Sequence, residues 1–145
     1  MLAFFLAYAA VCLYNTGNNW SLQLVHYPLY ALVGEATFGA YMARQNRLET
    51  VPAIIPGAAQ LVMGLVLLGV RPAGVPLGAA VAGAALNVVV IAATVIWAAR
   101  LNVRLERGFD PAALTVLLRA NLVRALCYTA QAGLILWLLY RLIPH

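Results

Sequence analysis

The chain contains no lysine, and its charge is confined to nine arginines and four acids in 145 residues. A charged share of 9% beside a hydrophobic share of 65% excludes an ordinary soluble domain, where about a quarter of residues are charged and about half apolar. The net charge of +5 comes from arginines scattered singly along the chain, so no basic stripe for nucleic acid exists and no nucleic-acid partner is expected. The missing lysine fits a GC-rich bacterial coding sequence.

Cysteine is scarce too. Cys12 and Cys127 lie in apolar stretches, far from any CxxC or Cys/His spacing, which argues against zinc, iron–sulfur or thiol-exchange chemistry and makes them core residues. The two histidines, His26 and His145, fall at opposite faces of the expected bundle, so a bis-histidine haem site is disfavoured. Catalytic triads, phosphate loops and paired-carboxylate centres are absent, and no metal or cofactor is expected. Residues 1–13 lack a basic leader and a small-residue cleavage site, so they read as a retained helix.

What the chain does have is long apolar runs. Crossing a bilayer core of about 30 Å takes roughly 20 apolar residues, so a chain of this length holds four crossings and little else. The expected fold is an all-α membrane protein, one domain over residues 1–145: a bundle of four transmembrane helices with an interfacial helix after the first. The first span runs from Leu2 to about Tyr27, where Pro28 disfavours helical geometry. Residues 29–50 mix Tyr30, Phe38 and Tyr41 with Glu35, Arg44, Arg47 and Glu49, which suits an interfacial helix; residues 29–46 as a further span is the competing topology. The second span covers residues 51–70 and is followed by a Pro- and Gly-rich turn. The third starts near Leu77 and stops at Gly108. Asp110 and Pro111 supply N-cap and first-turn signals for the fourth, with no further breaker until Pro144.

Arg44, Arg47, Arg100, Arg104, Arg107 and Arg119 then share one end, and Arg71 and Arg141 the other. The positive-inside rule puts the first group in the cytoplasm, giving a multi-pass protein of the inner membrane with both termini on the non-cytoplasmic side. Ala79, Ala80, Ala82, Gly83, Gly57 and Gly64 allow close helix approach, within the bundle or in a homo-oligomer. No internal repeat is visible, so an inverted-repeat transporter is not supported.

Polar side chains recur at helical spacing. Asn121, Arg124, Tyr128 and Gln131 share one face of the fourth helix. Asn87, Thr94, Trp97 and Arg104 repeat the device on the third, Asn15, Asn19 and His26 on the first, and Gln60 lies on the second. Lipid satisfies none of these groups, so the stripes are expected to converge on a polar interior opening towards the cytoplasm. Arg124 either snorkels or pairs structurally, with Glu35 as the nearest counter-charge, or binds a ligand. His26 either closes its helix or carries protons. The Asn15–Asn19 cluster either breaks the first helix or bonds across helices. The candidate ligand-binding residues are Arg124, Asn121, His26, Trp97, Asn87, Tyr128 and Gln131.

Trp20, the run Val25-His26-Tyr27-Pro28-Leu29-Tyr30, the aromatic-basic segment from Phe38 to Arg47, Pro52, and Asn121-Leu122-Val123-Arg124 resemble a group of small bacterial four-helix membrane proteins. That group is similar in layout to the anthrone-oxygenase-like family. The resemblance implies a four-helix membrane bundle, and some members of the broader family are linked to cofactor-independent oxygenation of polyketide anthrones. The group carries tryptophan after the asparagine and threonine after the arginine, where this chain has Leu122 and Ala125.

The combined expectation is a membrane protein that binds a small lipophilic or amphipathic molecule, with lipid as its surroundings and enzymatic turnover left open. As an enzyme it would use Arg124 and Asn121 to stabilise negative charge and His26 to move protons. The alternative is an oligomeric transporter or channel, or an accessory subunit of a membrane complex.

Overall fold

Prolines and glycines decide where each apolar run bends or stops. The computed structural model describes residues 1–142, and all regular structure among them is helical. Pro144, expected as a breaker, and His145, expected at the far face, lie outside the described residues.

Helix α1 spans Leu2–Ser21 and runs on through a π turn at Leu22–His26, a short α2 at Tyr27–Leu29 and a 3-10 turn at Tyr30–Leu32. The first helix therefore does not end before Pro28, as its sequence predicts. The Tyr27 N–H reaches back five residues to the Leu22 carbonyl, and this wider turn accommodates a proline that has no N–H to offer the ladder. The chain turns only at Val33 and Gly34, which are extended with ψ of 128° and 139°.

Helix α3, Glu35–Leu48, has 14 residues, too few for the roughly 20 that a span needs. It buries Phe38 and Met42 in a core with Leu105, Ala113 and Leu117. Phe38 meets Phe109 edge-on at 5.1 Å. Asn46 donates to the Glu106 carboxylate at 2.6 Å. Arg44 and Arg47 thus share an end of the molecule with Arg100, Arg104 and Arg107.

A π turn at Thr50–Ile54 leads into α4, Ile55–Gly69, and Gly74 turns the following loop with a φ of 94°. Helix α5, Leu77–Ala93, a π turn at Thr94–Ala98 and α6, Ala99–Leu105, form one continuous rod. Gly108 reverses the chain at a φ of 148°, and α7 runs from Pro111 to Leu142. Its cap is the Asp110 carboxylate, which accepts the Ala113 N–H at 2.9 Å and pairs with Arg104.

Three helical stretches are long and apolar enough to cross a membrane: Thr50–Gly69, Leu77–Leu105 and Pro111–Leu142. The α1 stretch is not among them, because Asn15, Thr16, Asn18 and Asn19 dilute its apolar character. Helix α1 nevertheless packs against α4 and α7, and α5 packs against the same two helices. The outer faces carry Leu6, Leu13, Val62, Leu65, Val81 and Val88, all exposed, while Asn15, Gln60, Asn87, Asn121 and Gln131 are buried. Such a distribution reverses that of a water-soluble protein. At the end opposite α3, Phe5, Val75, Ile135 and Leu138 close a second core. Ala80, Gly83 and Ala84 are buried, and Gly83 faces Gln131 and Leu134, so these small residues serve packing within the chain.

Two outcomes test this arrangement. A Cβ at Gly39 would lie 2.6 Å from the Glu106 carbonyl oxygen. Gly39→Ala should therefore push α3 off α6 and lower stability by about 1–3 kcal/mol in thermal unfolding. The Ala113 N–H and then Arg104 hold the Asp110 carboxyl below its usual range. Its stabilising effect is thus present above the ordinary carboxylate range and lost as pH falls through the lowered folded value. Asp110→Ala should flatten the acid limb of a stability-versus-pH curve.

Candidate functional site

Polar groups in an apolar interior must find one another, and the deepest ones here do so at Gln60. Its amide oxygen accepts from Asn15 Nδ2 at 2.6 Å, and its Nε2 donates to Gln131 Oε1 at 2.7 Å and Asn87 Oδ1 at 3.2 Å. Gln131 Nε2 continues to the Tyr8 hydroxyl at 2.6 Å and the Gly83 carbonyl at 3.3 Å. One layer of amides thereby joins α1, α4, α5 and α7. Gly64 makes room for it, because a Cβ there would meet Asn87 Nδ2 at 2.6 Å.

The Asn15–Asn19 cluster bonds across helices and leaves α1 unbroken: Asn15 also reaches the Pro56 carbonyl at 3.1 Å, and Asn18 the Pro52 carbonyl at 3.1 Å. Further along α1, Thr16 donates to the Tyr128 carbonyl at 3.0 Å and Trp20 to Thr129 at 2.9 Å. Asn121 donates to Gln23 Oε1 at 3.0 Å. These bonds fasten α1 along α7.

Towards the arginine-rich end the interior opens into a cavity of about 230 Å³. Arg124, Tyr128, Tyr27, Glu49, Thr94 and Asn102 are its polar lining, and Ala53, Ile54, Val90, Ile91 and Ala98 are among its apolar walls. Arg124 is only 9% exposed, its Nε has no hydrogen-bond partner, and it forms no ion pair among the described residues. The side chain is therefore enclosed within the helix bundle. Its electrostatic neighbours are Tyr27 and Tyr128. The carboxylate in the cavity is Glu49 rather than the expected Glu35, which is exposed at the start of α3. Gln45 Nε2 holds Glu49 Oε1 at 2.7 Å.

Of the seven candidate residues, Arg124 and Tyr128 line the cavity. Asn87 and Gln131 belong to the Gln60 layer, and Asn121 is fully buried against α1. His26 is exposed and lines a neighbouring recess of about 200 Å³ with Asn18, Gln45, Glu49 and Pro52. Trp97, 47% exposed, sits in a shallow groove beside Val116 and Arg119. The two that turn outward, His26 and Trp97, both lie in π turns. A turn closed five residues back lags behind the α-helical rotation, so each stripe leaves the inward face there. On α1 the inward position passes from His26 to Tyr27, which is 2% exposed. Tyr27, Glu49 and Asn102 were missed by pattern alone; only Pro28, as a site of helix distortion, marked the first of them.

Among the described residues no group of histidine, cysteine and acidic side chains could hold a metal ion. Searches against protein-family models, curated proteins and solved structures find no match to this chain.

Replacing Gln60 by leucine keeps the volume but leaves Asn15, Asn87 and Gln131 without their common partner. We expect a loss of about 1–3 kcal/mol in reversible unfolding from mixed micelles. Unchanged stability would show that the amide layer does not organise the helices.

Proposed function

We propose that the protein is a multi-pass membrane protein with four transmembrane helices, α1 included, that holds a small amphipathic molecule in the cavity beside Arg124. The observation that carries this reading is the buried Arg124 side chain, whose Nε has no hydrogen-bond partner, in a chamber with largely apolar walls. A desolvated guanidinium is costly without an acceptor, and a bound ligand supplies one. The chamber is slightly smaller than the roughly 300–1,000 Å³ of pockets for drug-sized ligands, which fits a compact molecule or the head of a longer one.

The exterior supports the membrane setting, because an apolar surface around a polar layer is what hydrocarbon solvates. The positive-inside rule orients the arginine-rich end to the cytoplasm and both termini to the other side. If the ligand is turned over, Arg124 would stabilise developing negative charge, and the Tyr27 and Tyr128 hydroxyls on the cavity wall would supply protons. His26 lines the neighbouring recess, which shares Leu22, Glu49 and Ala53 with this chamber.

Gly57 offers a direct test. It lines the cavity, and a Cβ there would meet only the Tyr128 hydroxyl, at 3.7 Å. Gly57→Leu should fold normally and fill the chamber. Native mass spectrometry of wild-type protein extracted from membranes should show a bound small molecule that the variant lacks. An adduct that persists in both Gly57→Leu and Arg124→Leu would place the ligand elsewhere and remove the basis of the proposal.

A further inference from the structure

The cavity opens sideways. Its floor consists of buried residues, Leu22, Tyr27, Ala98 and Arg124, whereas Ile54, Ala58 and Ala99 on its rim are exposed. The two lips are the π turns Thr50–Ile54 and Thr94–Ala98, and the third π turn, Leu22–His26, contributes to the floor. Helices α4 and α5 pack together, but the Thr50–Ile54 turn makes no extended contact with Thr94–Ala98 or α6. A cleft remains between them, flanked by the exposed side chains of Val51, Ile54 and Val95. In a bilayer such a flank faces acyl chains rather than water.

The polar end of the chamber specifies its occupant further. Of the buried polar atoms without a partner, Asn19 Oδ1, Asn87 Nδ2 and Asn121 Oδ1 lie on residues outside the chamber lining, whereas the donor Arg124 Nε and the acceptor Asn102 Oδ1 belong to residues that line it. Buried polar atoms are normally paired, so both await a partner that has an acceptor and a donor of its own. Glu49 stands on the same wall and balances the formal charge of Arg124. An anionic head would leave that chamber with a net negative charge at low dielectric, and a cationic head would leave it positive. An uncharged head bearing both a carbonyl and a hydroxyl offers an acceptor for Arg124 Nε and a donor for Asn102 Oδ1 and keeps the balance.

We infer that the cavity takes an uncharged single-chain amphiphile of the acylglycerol type, entering from the bilayer between the Thr50–Ile54 and Thr94–Ala98 turns. This rests on the ligand-binding reading above and names its ligand class and route. The carbonyl and hydroxyls lie against Arg124 and Asn102, and the chain leaves through the apolar cleft.

The test places a single thiol on the buried floor, Ala98→Cys, in a Cys12→Ala, Cys127→Ala background reconstituted in phosphatidylcholine vesicles. Val90→Cys, also a buried wall position, serves if the first variant does not fold. N-ethylmaleimide, which partitions into the bilayer, should label the thiol, and a permanently charged methanethiosulfonate should not. Decanoylglycerol should protect it with an affinity about tenfold above those of decanoate and decyltrimethylammonium, as expected for one polar contact left unmade. Arg124→Gln should abolish that preference while labelling continues.

Equal labelling by the charged reagent would show an aqueous mouth and overturn the lateral route, as would failure of the maleimide to react in a folded variant. Stronger protection by decanoate would overturn the uncharged head while leaving ligand binding intact. A reactive thiol that none of the three amphiphiles protects would refute both this inference and the ligand-binding reading beneath it.

Discussion

The carboxamide of Gln60 is the contact on which the relative placement of α1, α4, α5 and α7 depends. In an apolar surrounding the hydrophobic effect supplies no register between helices, since lipid tails and leucine side chains are equivalent partners. Directional bonds have to supply it. Gln60 uses its oxygen towards α1 and its nitrogen towards α5 and α7. That fixes the rotation of α4 against three neighbours at once. Gly64, one turn further on, lets Asn87 and Tyr8 approach closely enough for the layer to form.

With the helices clamped at that level, they are free to diverge towards the arginine-rich end. The three π turns, Leu22–His26, Thr50–Ile54 and Thr94–Ala98, all lie on this side and all contribute to the cavity lining. Two have a proline within or just after them, Pro52 and Pro28, and a widened turn is one way to carry a residue that cannot complete the α-helical ladder. The cavity is therefore a consequence of how the helices handle these interruptions. Helix α3 packs behind its floor, with Phe38 and Met42 in one core with Leu22, Tyr27 and Ala98.

The polar groups of the interior differ in how far the protein itself satisfies them. Gln60, Asn15 and Gln131 bond to one another and hold the fold. Arg124 and Asn102, which line the cavity, each keep one atom unpaired, as do Asn19, Asn87 and Asn121 outside its lining. A satisfied group stabilises an arrangement, whereas an unsatisfied one is an interaction left incomplete.

Composition and periodicity alone determined a good part of this protein. Three of the four expected apolar runs correspond to helices long and apolar enough to cross a membrane, Thr50–Gly69, Leu77–Leu105 and Pro111–Leu142, and Asp110 with Pro111 announced the cap of α7. The 3.6-residue spacing of Asn121, Arg124, Tyr128 and Gln131 identified an inward face, and all four are buried, because α7 is one uninterrupted α-helix to which that period applies. Where the period changes, the inference from sequence fails: His26 and Trp97 turn outward at π turns, and Tyr27 turns in. Only the tertiary structure decided that Asn87 and Gln131 answer to Gln60 while Arg124 does not, and that Glu49 rather than Glu35 shares its chamber. Those outcomes depend on helix rotation and on contacts between residues distant in the chain, and local spacing carries information about neither.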